Sequence, residues 1–421
     1  MALDVIPLWP IVPDWSQPIT ETLEWLTAIH TSPTGAEQRQ AMRLTPRRSM
    51  EFSVLVRGGQ RAHFLGFLDA YGASDFYCPL WHERGVLSRS EALGSLAATV
   101  TGEKAETAAC DALCAARDVA YGWPVAEVSS GTASGGATRL TLASPGWTGQ
   151  VSRGQVVYPM ARARLDASAV DWTRHTDDVL AATVRVEFQY AQTWGGSAGL
   201  TTYAGYPVVD VAPNERKPQG GRTGWRVLGL DNDTGRRAYL DTAGLAFPGL
   251  TQGSTMVGRA RADLIRSVLY TLRGRAVQAW FPSPLADFTL VASVADGEDQ
   301  LIVIRNGYAD YGGPQDRNDR LLLRMRDGTT YFRQITGAAV VGETDTELLT
   351  LDAGFDLGFA PADVLRIGLL MPGRLDQDRF ELVHLTDTDG VCEVALTVRR
   401  VPVLRSAADW TPPEFPDDEP V

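Results

Sequence analysis

Leu264, Ile265, Val268, Leu269 and Leu272 recur at the three-to-four-residue interval that lines one face of a helix. Phe64, Leu65, Leu68 and Tyr71 do the same two hundred residues earlier. Behind each predicted helix comes a short aromatic strand closed by proline, Phe76-Tyr77-Cys78-Pro79 in the first case and Ala279-Trp280-Phe281-Pro282 in the second. Most of the remaining pattern is shorter. Val151 to Val157, Ala181 to Tyr190, Asp299 to Ile304, Arg320 to Met325, Glu347 to Leu351 and Glu393 to Val401 are brief runs bounded by Gly, Asp and Asn, which predicts strands. The Ala-rich segment from about Ala105 to Val119 predicts one extra helix, present early in the chain only. Two proline-punctuated stretches, Ile6 to Trp15 and Tyr206 to Glu215, read as extended arms lying over a surface, because proline fixes φ and removes a donor. Together these elements predict a mainly β chain with a few helices, a β-rich α+β class.

The pattern also predicts that the chain is written twice. At a shift of two hundred, Pro7 meets Pro207, Pro13 meets Pro213, Trp25 meets Trp225, Thr34-Gly35 meets Thr234-Gly235, Gly58 meets Gly258 and Arg61-Ala62 meets Arg261-Ala262. Small insertions then widen the offset, so that Pro79 falls on Pro282, Arg164-Leu165-Asp166 on Arg374-Leu375-Asp376, and Thr183-Val184-Arg185 on Thr397-Val398-Arg399. The expected domains are residues 1–200, carrying the extra helix, and 201–405, followed by an acidic, Pro-rich tail over 406–421. A unit repeated within one chain is commonly built to pack against copies of itself, which points to assembly rather than chemistry.

Composition narrows the classes. Over 421 residues, 44% are hydrophobic and 21% charged, ordinary for a globular protein and unlike a disordered one. A formal charge of −12 argues against gripping nucleic acid by its phosphates, yet suits a surface past which DNA slides. No apolar run is long enough to span a membrane and the N-terminus lacks a signal-peptide pattern, so the expected site of synthesis is a cytoplasm. Four cysteines, Cys78, Cys110, Cys114 and Cys392, are too scattered for a disulfide framework. Cys110 and Cys114 are expected as two thiols on one helical face.

Candidate chemistry is thin. Gly195-Gly196-Ser197-Ala198-Gly199 matches a nucleophile elbow, but Leu200 to Val209 reads as extended where a helix is required, so a Gly-rich connector is the better reading. Five histidines show no metal-ligand spacing, and His82, in Trp81-His82-Glu83-Arg84, reads as a satisfied loop residue. No catalytic residue, cofactor or metal is expected. A carbohydrate-binding or adhesin module of a fibre is a rival, with the loops of Trp147, Trp172 and Trp194 expected exposed and binding sugar in that case, and a glycoside hydrolase, with a carboxylate pair in a cleft lined by some of the eleven tryptophans, is a lesser one.

The segment with most individuality is Thr34-Gly35-Ala36-Glu37-Gln38-Arg39, continued by Arg43 and Thr45-Pro46-Arg47-Arg48. Gly35 would supply a turn. Glu37 and Arg39, two apart, would share one face of the next strand, where carboxylate and guanidinium form planar charge-assisted bonds with a neighbour. This Gly-x-Glu-x-Arg turn, the Pro-Arg-Arg strand, the helix and the aromatic strand running to Leu80-Trp81 resemble the opening of tail-tip proteins of long-tailed bacteriophages, including distal tail proteins and their relatives in gene-transfer particles. The resemblance covers about Trp9 to Trp81. The second copy follows in outline only, since Thr234-Gly235-Arg236-Arg237 lacks the Glu and no Pro-Arg-Arg run follows.

The resemblance implies tail-tube-like β-barrel or sandwich units, each with a flanking helix, assembled as a ring around a tail channel and carrying no catalytic set. Tail tubes are generally six-fold and hubs three-fold, so a trimer of two-copy chains would match both. Expected partners are further copies of the chain, the tail tube protein and the hub or central fibre proteins, with DNA passing unbound and the virion tail as location. The candidate subunit interface is Trp25, Gly35, Glu37, Arg39, Arg43, Pro46, Arg47, Arg48, Trp81, Trp225 and Gly235.

Overall fold

The computed structural model describes residues 7–116, 122–166, 168–189, 200–233, 235–311, 313–315, 318–342, 345–387 and 390–401. The described chain is mostly antiparallel β. Its first half runs β1 (Ile19–Glu24), β2 (Thr27–Thr31), β3 (Glu37–Ala41), β4 (Arg47–Arg57), α1 (Gly59–Tyr71), β5 (Phe76–Pro79), β6 (Gly85–Val86), β7 (Ala97–Thr101), α2 (Ala105–Ala108), β8 (Ala112–Ala115), β9 (Val125–Ser134), β10 (Ala137–Leu142), β11 (Val156–Leu165), β12 (Trp172–Arg174) and β13 (Val179–Phe188). The second runs β14 (Thr202–Tyr203), β15 (Tyr206–Pro207), β16 (Gly220–Gly224), β17 (Val227–Leu230), β18 (Ala238–Asp241), β19 (Phe247–Met256), α3 (Arg259–Leu272), β20 (Ala279–Pro282), β21 (Gln300–Ile304), β22 (Arg320–Met325), β23 (Thr330–Val340), β24 (Thr346–Leu351), β25 (Val364–Leu375), β26 (Arg379–His384) and β27 (Cys392–Arg400).

In β4 the inward positions are Arg48, Met50, Phe52, Val54 and Val56, and in its partner β13 they are Leu180, Ala182, Val184, Val186 and Phe188. This period-two alternation places one apolar face against α1. Gly58 turns the chain into the helix at φ +51°, a conformation that an L side chain rarely adopts. Trp9 is fully buried and stands edge-on to Phe52, Phe64 and Phe67. The first arm therefore threads the core instead of lying over it. The same holds for Val208 and Val211 of the second arm, since large apolar side chains gain about 1.5–3 kcal/mol by full burial.

The second half repeats these pairings. β19 pairs with β27 as β4 does with β13, β20 with β25 as β5 with β11, and β25 with β27 as β11 with β13, although the ladders set Thr397 at the place of Arg185, two residues from the sequence match of Arg185 with Arg399. Each arm adds a parallel bridge to its aromatic strand, Leu8 to Tyr77 and Val208 to Trp280. Strands inserted between these elements have cores of their own, around Val100, Leu140 and Trp147 in the first half and around Leu301, Leu321 and Leu349 in the second.

Several local expectations fail. The helix expected over about Ala105 to Val119 is a single turn, Ala105–Ala108, followed by β8, which pairs with both β9 and β11; residues 117–119 lie outside the described residues. Tertiary pairing outweighs the helical preference of alanine there. Cys110 and Cys114 accordingly share no helical face. Burial raises both thiols, Cys114 to about 12. The run from Val151 is a one-residue bridge, with strand only from Val156, and Leu264 sits on the outer side of α3. Trp147 is buried and Trp172 half exposed; Trp194, Gly195 to Gly199 and the tail lie outside the described residues.

Candidate assembly interface

The two halves meet strand to strand. β1 lies between β4 of its own half and β26 of the other, in register Ile19 to His384, Glu21 to Leu382 and Glu24 to Arg379. One sheet thus runs β12, β13, β4, β1, β26, β27, β19, β16. Past β1, Trp25 leaves its own half and enters the core of the second, edge-on to Tyr270 at 5.5 Å and Phe380 at 5.9 Å, with 1% of its surface exposed. Such a fully packed tryptophan is worth about 3–5 kcal/mol against alanine.

Under this joint lies a buried charge cluster drawn from both halves. Glu21 sits between the inward Ile19 and Leu23 of β1, and its carboxylate meets Arg48 Nε at 2.7 Å and Arg266 Nη2 at 2.5 Å. Glu106 bridges the same two guanidiniums. Burial alone would raise the Glu21 pKa, but Arg266 and Arg48 hold it well below the usual carboxylate range. His384 Nε2 lies 2.9 Å from Glu21, and His82 stacks on His384 at 4.0 Å with its Nε2 3.1 Å from Arg266. Burial lowers both imidazole pKa values, with the neighbouring His384 adding to the fall at His82. Two carboxylates, two guanidiniums and two neutral rings leave the cluster balanced. Glu21, His82 and His384 do present ligand atoms within 4.8 Å of one another, but a divalent cation there would face both guanidiniums.

The β2–β3 hairpin reaches over the same joint. Glu37 takes Arg374 bidentately, at 2.7 and 2.9 Å, and although burial raises its pKa, Arg374 draws it down overall. Arg39 donates to Gln278 at 3.4 Å. Thr27 donates through its backbone and hydroxyl to Asp378, which also accepts from Arg275. At the tip, Gly35 has φ +92° and lies so close to Phe247 that a Cβ would come within 2.3 Å of the ring. Ser32 and Pro33 carbonyls accept from Arg226 and Thr242, at the base of the β17–β18 hairpin.

Of the candidate interface residues, Trp25, Gly35, Glu37 and Arg39 contact the second half, and Arg48 lies in the cluster below. Arg43 instead pairs with Glu24 of its own half, Arg47 points outward beside the buried Pro46, and Trp81 packs on Trp123 and Tyr158 in the first-half core. Trp225 and Gly235 are exposed. Sequence reasoning missed Glu21, Glu106, Arg266, Arg374, Asp378 and His384. A carboxylate at an inward position of β1 and an arginine on the apolar face of α3 were the available signals. A groove of about 660 Å³ lies over β16 and β19, and Asp376 is the one carboxylate lining it. Compared with known proteins, the chain matches no family model and no curated relative.

Proposed function

We propose that this chain is a structural, non-enzymatic protein of a phage tail tip, a trimer with pseudo-six-fold symmetry that joins the tail tube to the hub or central fibre while DNA passes through its channel. The observation that supports this reading is the β1–β26 joint. It links two halves of matching ladder pattern head to tail, using different surfaces of each, and a heterologous joint of that kind closes into a ring when repeated at a suitable angle. Two units per chain make three chains the closed form that serves both six-fold and three-fold neighbours. The buried charge cluster and the docked hairpin tie the two halves together across the joint, which suits a load-bearing collar better than a catalytic cleft.

The test is labelling in situ. Antibody fragments against the purified protein, viewed by electron microscopy on particles from a producing lysate, should decorate the junction of tube and tip, and native mass spectrometry of the purified chain should give a trimer. Decoration along the shaft, or a chain missing from particles, overturns the reading.

A further inference from the structure

The long sheet ends in two strands, β12 and β16, neither of which pairs on its outer side among the described residues. These are the counterparts of the two strands that make the internal joint. β16 pairs with β19 (Gly220 to Thr251, Gly224 to Phe247) two hundred residues on from the pairing of β1 with β4 (Thr20 to Glu51, Glu24 to Arg47). β12 stands on β13 at Trp172 to Ala182 and Arg174 to Leu180, where β26 stands on β27 at Leu382 to Val394 and His384 to Cys392. The hairpins follow: β17 pairs with β18 from Val227 to Asp241, as β2 does with β3 from Thr27 to Ala41.

We propose that β16 and the β17–β18 hairpin dock on β12 and α1 of a second copy of this chain, repeating between chains the joint that β1 and the β2–β3 hairpin make within one. The register follows from the internal joint. Thr20 faces Val383 there, so Gly220 would face Thr173 of the next chain, and Gly221 would face Trp172.

Three features point to this occupant. First, Trp225, the counterpart of the buried Trp25, is 66% exposed, and Leu228, Leu230, Tyr239 and Leu240 beside it are also more than half exposed. A hairpin so apolar and so bare calls for a partner. Second, the receiving surface is open where the internal one is filled. α1 shows exposed Ala62, Gly66 and Ala70 where α3 carries Ala262, Arg266 and Tyr270 beneath the first half. Leu26 and Met42, about half exposed, stand where Arg226 and Thr242 hold the tip of β2–β3. Third, the charges of the buried cluster disappear on both sides together. Glu21, Arg48 and Arg266 correspond to Gly221, Pro248 and Gly66, and the Thr27–Asp378 pair corresponds to Val227 and Ser168. Had one side alone changed, a buried charge would be stranded at a cost of several kcal/mol. The joint between chains therefore lacks the buried cluster and rests on backbone pairing and apolar packing, with charges at its exposed margin, where Arg222 would face Asp171 and Arg237 and Arg164 stand in place of Glu37 and Arg374.

The inference rests on the ring reading above, and its test separates the two. Gly220→Cys and Thr173→Cys place thiols directly opposite each other across the proposed ladder, within disulfide reach, and a Cβ at Gly220 meets nothing within 4 Å. Mixed and oxidised, the two single variants should give a covalent dimer that neither gives alone, and the double variant a ladder of bands ending at three. Trp225→Asp with Tyr239→Asp, both on the surface, should leave a folded monomer by circular dichroism and reduce cross-linking to background. Oligomers without cross-links, a chain that stays monomeric at high concentration, or unchanged assembly in the aspartate variant would each overturn the interface. An oligomer that uses other surfaces leaves the tail-tip reading standing, whereas a cross-linked ring from a chain missing in particles removes that reading and keeps this joint.

Discussion

Glu21→Gln is the most informative change inside the chain, because it keeps the size of the side chain and removes only its charge. Glu21 and Glu106 balance Arg48 and Arg266 in a site from which water is excluded. The variant leaves one positive charge uncompensated. Removing one partner of a buried pair costs about 3–5 kcal/mol, which is more than a hundredfold in the balance between closed and opened joint. Urea unfolding followed by tryptophan fluorescence should show this as a lower midpoint. Arg266→Met alone should be similarly harmful. Combined with Glu21→Gln it restores neutrality, with Arg48 still held by Glu106, so the double variant should be more stable than the sum of the singles by about 1–3 kcal/mol. A loss below about 1 kcal/mol for Glu21→Gln, the range of an exposed pair, would refute the claim that this cluster ties the halves together.

Other changes probe the same joint. Both imidazoles have folded pKa values below the unfolded value of about 6.5, so their contribution is present above that pH and is lost as pH falls from it toward the folded values; His82→Asn with His384→Asn should flatten the fall in midpoint between about pH 6.5 and 5. Asp263 works the other way, since burial raises it to about 6 and its protonation relieves a penalty as pH falls, so Asp263→Asn should steepen the acid loss. Gly35→Ala forces a Cβ into Phe247 at a left-handed backbone position and should cost at least about 1 kcal/mol, with faster hydrogen exchange confined to the β2–β3 hairpin; uniform protection would argue against the docking described. Burial keeps Cys78, Cys114 and Cys392 protonated, so an aromatic disulfide reagent at pH 8 should label none of the three before unfolding.

What could be read from the chain is what local pattern encodes. Helical spacing marks α1 and α3 because one face of each must reach a core, and two-residue alternation marks β13 and β27 for the same reason. The turn at Gly35 and the shared face of Glu37 and Arg39 were legible, since both follow from a few neighbouring residues. Their partner was not: Arg374 is 337 positions away, and only the β1–β26 ladder brings it near. The same ladder gathers Glu21, His82, Glu106, Arg266 and His384 from five separate segments, none with a ligand-like spacing of its own. It also decides against the helix expected near Ala105, because β9 and β11 offer Ala112–Ala115 a paired backbone on both sides. Trp25 and Trp225 show the division most clearly. As sequence they are the same residue at the same place in matched stretches, yet one is enclosed by Tyr270 and Phe380 while the other stands bare. Burial belongs to what surrounds a side chain, which no local pattern records.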